Sequence, residues 1–172
     1  MSTSIFVVDN FLPKPDLVRE QVVKLEFSTS GSFPGKRSFS ADNDFQMYIK
    51  TRIEDVMNVK VTEWLMDSFC FQLCYEGEKS WVHKDESQWA GVLYLTPNAP
   101  QESGTGIYTE PTTGEFELQD AIANVYNRLI LYRGDMLHSS LLPGFGNTPE
   151  TGRLTQVFFF NTNKQPAGGW EQ

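Results

Sequence analysis

The hydrophobic pattern of this chain changes period once, near Val59, and that change dictates the architecture. Before it, apolar residues recur at helical spacing. Leu17, Val18, Val22, Leu25 and Phe27 form one stripe, and Phe45, Tyr48, Ile49, Ile53 and Val56 form a second. Pro15 suits the first turn of the first helix, and Asp42 or Asp44 can cap the second. After Val59 the period is two: Phe69, Phe71, Leu73 and Tyr75 alternate with Cys70, Gln72 and Cys74. Phe6 to Val8 reads as a short opening strand. Residues 28–40, with Gly31 and Phe33-Pro34-Gly35, read as a loop.

Further strands are expected at Trp89–Leu95, Gly106–Thr109, Arg128–Tyr132, Leu137–Leu141 and Leu154–Asn161. Turn chemistry separates them at Pro97-Asn98, Ser103-Gly104, Pro111 to Gly114, Gly134-Asp135 and Pro143 to Gly152. Two helices followed by many short strands predict a mainly β sandwich or barrel with the helices on one outer face. At 172 residues and 40% hydrophobic content the chain makes one domain with a single sizeable core. Residues 1–58 form its helical support, 59–161 the β core, and 162–172 a C-terminal arm.

Charge removes some partners. A net charge of −8 and a pI near 4.7 exclude the broad basic footprint that nucleic-acid phosphates or an anionic membrane require. No apolar run approaches the roughly 20 residues that cross a bilayer, and Met1-Ser2-Thr3-Ser4 opens no signal-peptide pattern. Cys70 and Cys74, on one strand, would stand about 13 Å apart, too far to bridge. They read as buried reduced thiols, the expectation for a cytoplasmic protein.

The chemistry gathers around the chain's two histidines. His83-x-Asp85 on an extended segment puts an imidazole and a carboxylate on one face, about 6.7 Å apart along the chain. A remote histidine, His138, begins a later strand after Gly134-Asp135. Together they have the composition of the 2-His-1-carboxylate facial triad of non-haem Fe(II) oxygenases. Alone, His-x-Asp is a weak pattern, and His138 taken by itself reads better as a satisfied core or rim histidine. Arg153 opens the aromatic strand Leu154 to Phe160, where its planar fork suits a carboxylate ligand or a salt bridge to one of the chain's acids. Tyr94, in Gly91-Val92-Leu93-Tyr94-Leu95, points inward either to hydrogen-bond a small buried acid or simply to pack. Ser103-Gly104-Thr105-Gly106 is not a phosphate loop, because no helix or Lys-Ser/Thr follows it. It allows close backbone packing under a ligand, or is a plain turn.

In order along the chain, Tyr75-x-Gly77, His83-x-Asp85, Val92-Leu93-Tyr94-Leu95, Gly104-x-Gly106, Arg128 to Tyr132, His138 and Arg153-x-Thr155 resemble the prolyl-4-hydroxylase-like Fe(II)/2-oxoglutarate dioxygenases. The resemblance spans about Phe69 to Asn161. Val8-Asp9-Asn10-Phe11-Leu12-Pro13 and Phe33-Pro34-Gly35-x-Arg37-Ser38 resemble a poorly characterised bacterial and phage branch of that superfamily. The resemblance implies a double-stranded β-helix of the jelly-roll, cupin-like kind, with iron held by His83, Asp85 and His138. It implies 2-oxoglutarate bound at its distal carboxylate by Arg153, assisted by Tyr94 and Thr155, with Tyr75 lining the pocket. It also implies hydroxylation of a small-molecule or peptidyl substrate using O2. The carboxylate Asp85 favours hydroxylation, since related halogenases lack it.

Two other classes stand beside this one. A zinc hydrolase also suits two histidines and an aspartate, with Glu86 the only nearby general base, but leaves Arg153 and Tyr94 unused. A non-catalytic jelly-roll module would use Trp81 and Trp89 to bind a sugar or peptide. The segment 28–40, with Lys36 and Arg37, either closes over a carboxylate-bearing substrate or is a surface connection.

Overall fold

A computed structural model of the protein describes residues 5–110 and 112–165. Pro111 of the expected turn and most of the expected C-terminal arm lie outside the described residues. Strand β1 (Ile5–Val8) leads into helix α1 (Pro15–Val22), which starts on Pro15 with Asp16 in its first turn. The helix is shorter than its apolar stripe. Leu25 and Phe27 pack partly buried beyond its end, and Leu17 is 55% exposed. Helix α2 (Asn43–Met57) is capped by Asp42, whose side chain accepts from Phe45 N–H at 2.9 Å. It ends on Asn58 in the left-handed conformation. Its buried residues are Ile49, Ile53 and Met57, one turn apart, while Tyr48 lies at the margin.

The segment expected as a loop is a hairpin, β2 (Thr29–Gly31) and β3 (Phe33–Ser38). Its Phe33-Pro34-Gly35 carries turn residues and no alternation, so local sequence argues against a strand. Pairing supplies what propensity lacks: Lys36, Arg37 and Ser38 align with Leu73, Gln72 and Phe71 of β5 (Phe71–Cys74). The remaining strands are β4 (Val61–Trp64), β6 (Trp89–Tyr94), β7 (Thr105–Thr109), β8 (Glu117–Ile122), β9 (Leu129–Arg133), β10 (Leu137–Ser140) and β11 (Arg153–Thr162). Strand β8 had no signal in the sequence, because nearly all its side chains are exposed and its residues, Glu-Leu-Gln-Asp-Ala-Ile, are mostly polar.

Every pairing is antiparallel. One sheet has the order β1-β9-β6-β11-β5-β3-β2, with β4 also on β11, and a three-stranded sheet has the order β10-β7-β8. Strand β11 is the axis of the large sheet. Its Leu154, Phe158 and Phe160 join the helix-side core with Ile49, Ile53, Leu93 and Leu129. Its Arg153, Thr155, Val157 and Phe159 face the other way, into a cavity of about 860 Å³ between the sheets. A second, smaller core of Ala90, Tyr94, Ile130 and Tyr132 from the large sheet and Ile107 from the small one closes the rest of that space. Cys70 and Cys74 are buried free thiols. Among the described residues, no helix is long and apolar enough to cross a membrane.

Candidate metal centre

His83 and Asp85 lie outside any ladder strand, on a segment held in place by two neighbours. His83 and His138 form one antiparallel bridge, each N–H donating to the other's carbonyl at 3.0 Å. Two residues on, Asp85 N–H donates to Gly134 O at 2.7 Å, and Gly134 N–H donates to Gln88 O at 2.9 Å. Gly134 is needed for that approach, since a Cβ there would stand 1.9 Å from Ser87 O. Thus the turn between β9 and β10 grips the Asp85 segment, and β10 presents His138 beside it.

The three side chains converge. Asp85 Oδ2 lies 3.2 Å from His138 Nε2, and Asp85 Oδ1 lies 3.6 Å from His83 Nε2. Each histidine donates its Nδ1–H to the backbone carbonyl two residues earlier, Trp81 O at 2.9 Å and Met136 O at 2.8 Å. In the neutral ring that leaves both Nε2 lone pairs aimed at an acceptor-only carboxylate. Asp85 Oδ2 is buried without a hydrogen-bond partner. Two imidazole nitrogens and a carboxylate oxygen that converge this closely fit a cation. Ligand atoms at right angles around one first-row metal, each about 2.0–2.2 Å from it, stand about 3 Å apart. The Nδ1 bonds are the outer contacts that fix tautomer and orientation in metal-binding histidines. His138 is buried against the Tyr132 ring at 4.7 Å, while His83 stands at the open side.

Arg153 lines the same cavity and is 3% exposed. Its Nε donates to Ser103 O at 2.9 Å, and its Cζ lies 5.8 Å from the centre of the Tyr94 ring. Among the described residues no carboxylate lies within ion-pair distance, and its two Nη groups make no hydrogen bond. The salt bridge that the sequence left open is therefore not formed. A buried guanidinium whose fork opens on a cavity suits an anion there. Thr155, two residues along the same face, is buried and also lines the cavity.

Two residues implied by the resemblance sit elsewhere. The Tyr94 phenol is fully buried and shares a 2.6 Å hydrogen bond with Thr105 Oγ1, so Thr105, not Tyr94, faces the cavity. Burial keeps the Tyr94 hydroxyl protonated, and it does the same more strongly at Tyr132. Tyr75 belongs to the helix-side core, and its carbonyl packs under Gly144, away from the cavity. Gly104 serves backbone packing within the protein, since a Cβ would meet Ile122 O at 1.7 Å. Gly106 packs against Leu141, Tyr108 and Leu118. Trp81 is 46% exposed at the cavity mouth, whereas Trp89 is buried against Phe6. Glu86 is exposed on the cavity rim. Sequence reasoning gave no role to Tyr132 and Gln72, which also line the cavity. Their only signal was inward placement on strands already recognised.

Residues 108–160 match the model of a family of unknown function, DUF6445. No curated protein matches the sequence. Solved structures share the fold. A Pseudomonas putida prolyl-4-hydroxylase is 15% identical over 91% of each chain, with a TM-score of 0.57. A Trichoplax adhaerens prolyl hydroxylase, in complex with a hypoxia-inducible factor oxygen degradation domain peptide, is 13% identical over 98% of this chain and 88% of its own, also at 0.57. HygX from Streptomyces hygroscopicus, with nickel, 2-oxoglutarate and hygromycin B bound, is 13% identical over 97% of this chain and 84% of its own, at 0.61. The chain shares the fold of these two prolyl hydroxylases and of HygX. At these identities the likeness speaks for fold alone.

Proposed function

We propose that this single domain is an Fe(II)- and 2-oxoglutarate-dependent oxygenase that hydroxylates an unactivated C–H bond of a small-molecule or peptidyl substrate. We read its two facing sheets as the double-stranded β-helix of that class. The observation that carries the proposal is the free fork of Arg153, buried in the same cavity as His83, Asp85 and His138. A metal site alone suits zinc hydrolysis equally. A metal site sharing its cavity with an unpaired guanidinium suits an acid cosubstrate bound across the two. HygX, which shares the fold, has nickel, 2-oxoglutarate and hygromycin B bound, and the Trichoplax adhaerens prolyl hydroxylase is in complex with a peptide.

Iron bound here, with 2-oxoglutarate and O2, supplies the oxidative decarboxylation that yields succinate and CO2 and the oxidising equivalents for the hydroxylation. This chain's residues do the rest. His83, Asp85 and His138 would hold the iron through two imidazole nitrogens and one carboxylate oxygen, at the wall of the cavity. Trp81 O and Met136 O accept from the two Nδ1 atoms and so orient both Nε2 atoms toward the metal position. Arg153, fixed by Ser103 O and the Tyr94 ring, presents its Nη groups to the distal carboxylate, with Thr155 beside it. Val92, Val157 and Phe159 make the wall apolar and exclude water.

Anaerobic titration with Fe(II) and 2-oxoglutarate tests the reading. A weak metal-to-ligand charge-transfer band near the visible is expected, followed by succinate formation on admitting air. Absence of both refutes it. Zinc-dependent ester or amide hydrolysis that survives Arg153→Gln would move the assignment to the hydrolase class.

A further inference from the structure

A second buried guanidinium faces the cavity, and the iron and 2-oxoglutarate leave it without a task. Arg37 on β3 is 9% exposed and lines the cavity. Its plane is fixed on three sides. Its Cζ lies 3.8 Å over the Phe33 ring, Nε donates to Gln72 Oε1 at 2.9 Å, and Nη1 donates to Asp67 Oδ2 at 2.9 Å. Nη2 makes no hydrogen bond among the described residues. Burial disfavours the charge, and the neighbouring Asp67 carboxylate favours it.

The Asp67 partner is weakly committed. Its side chain is 45% exposed while that of Arg37 is 10% exposed, so the pair is open at its acidic end. An arriving carboxylate can replace Asp67 on the guanidinium, and Asp67 then regains water at little cost. Apolar side chains stand beside these polar partners. The Phe159 ring centre lies 5.8 Å from its Cζ, and Met66 and Trp81, both exposed, stand at the mouth. Arg37 is also separate from Arg153. Gln72 on β5 aligns with both Arg37 and Thr155, so the two arginines are rooted on strands with β5 between them and offset by two residues. Strand spacing and rise then place their roots about 12 Å apart.

We propose that Arg37 is the specificity-determining residue for an anionic substrate: a carboxylic acid with an apolar or aromatic body, whose carboxylate displaces Asp67 and whose body lies against Phe33 and Phe159. This deepens the oxygenase reading and rests on it for the position of the reacting carbon. Arg153 holds the acid of the cosubstrate and Arg37 holds that of the substrate.

The test uses the full chain loaded with redox-inert Zn(II) and saturating 2-oxoglutarate. The probes are acids paired with their neutral amides: phenylacetate with phenylacetamide, 3-phenylpropionate with its amide, and hexanoate with hexanamide. Affinities are read by calorimetry or ligand-observed NMR. At least one acid is expected to bind about ten- to a hundredfold more tightly than its amide, as suits a charge-assisted pair. Arg37→Gln removes the preference, Arg37→Lys keeps part of it, and Asp67→Asn strengthens acid binding without affecting the amide. The proposal is overturned if no acid outbinds its amide, if the preference survives Arg37→Gln, or if Asp67→Asn weakens acid binding. An Arg37→Gln protein that also loses 2-oxoglutarate overturns the separation of the two acid sites. Failure of the oxygenase reading shows separately, as absent 2-oxoglutarate binding in the first titration. The acid–amide comparison is then repeated in Arg153→Gln, where any preference belongs to Arg37.

Discussion

Gly134→Ala is the sharpest perturbation of this centre, because it changes none of the three converging side chains and acts through the backbone alone. The added Cβ would stand 1.9 Å from Ser87 O and 3.0 Å from Ser87 C, and Asp85 O lies a further contact away at 3.4 Å. Opening the first gap to an ordinary contact near 3.4 Å moves the 85–88 segment and the β9–β10 turn apart by about 1.5 Å. The bonds from Asp85 N–H to Gly134 O and from Gly134 N–H to Gln88 O cannot both survive that displacement. At about 0.5–1.5 kcal/mol each, their loss destabilises the fold by roughly 1–3 kcal/mol. The larger effect falls on the metal. Ligand distances tolerate only about ±0.2 Å, and loss of an outer-shell support typically lowers metal affinity about 10–100-fold. Zn(II) or Co(II) calorimetry on the purified variant, with urea unfolding alongside, reads both quantities. Gly104→Ala is the control. Its Cβ would clash as severely, 1.7 Å from Ile122 O, but next to Ser103, whose carbonyl holds Arg153 Nε. It should weaken 2-oxoglutarate binding and spare the metal. A folded Gly134→Ala protein that binds metal within about twofold of the parent would falsify the account of how Asp85 is positioned.

Three further outcomes are expected. Arg153→Met should lower 2-oxoglutarate affinity about a hundredfold or more, as two charge-assisted hydrogen bonds disappear. It should leave the ligand-free protein as stable as before or more so, because the charge it removes is buried and unpaired; a marked loss of urea resistance would mark Arg153 as structural instead. Zn(II) at about a hundred times its dissociation constant should add about 2.7 kcal/mol, which in a domain of this size raises Tm by about 5–11 °C. His138→Ala should abolish that shift, and a shift of equal size in the variant would place the metal elsewhere. Arg128 hydrogen-bonds Asp9 and holds its carboxyl below the ordinary value of 3.8. The folded-state pKa is depressed, so this contact stabilises above that value and its contribution is lost as pH falls through the lower, folded-state one. Asp9→Asn should therefore flatten the acid limb of the stability profile below about pH 4 while leaving neutral metal binding unchanged.

The parts of this fold legible in the sequence are those where burial imposes a period. Strands β5, β6, β9 and β11 are buried on both faces or alternate large side chains, and each was found within a residue or two of its ends. Strand β8 escaped because both its faces meet solvent, and β3 because its order comes from the partner strand rather than from its own Pro34 and Gly35. The same division runs through the site. His83, Asp85 and His138 were visible as a motif because ligand chemistry restricts residue type. Tyr75 and Tyr94 were carried in by resemblance, yet the register puts Tyr75 on the helix-side core and caps the Tyr94 phenol with Thr105.

Arg37 shows why such placement matters more than residue type at a pocket wall. In sequence it lies beside Lys36 in a stretch without periodicity, and nothing separates the two. Pairing of β3 with β5 sets Arg37 opposite Gln72, on the inner face, and turns Lys36 outward to solvent. A one-residue slip in that register would exchange them. It would put an unfixed ammonium where a guanidinium is now held by Phe33 and Gln72. Under the proposed role of Arg37, substrate choice hangs on a hairpin register that local sequence does not encode. The candidate metal centre instead hangs on the backbone contacts between residues 83–88 and 134–138, in which the lack of a Cβ at Gly134 permits the close approach to Ser87.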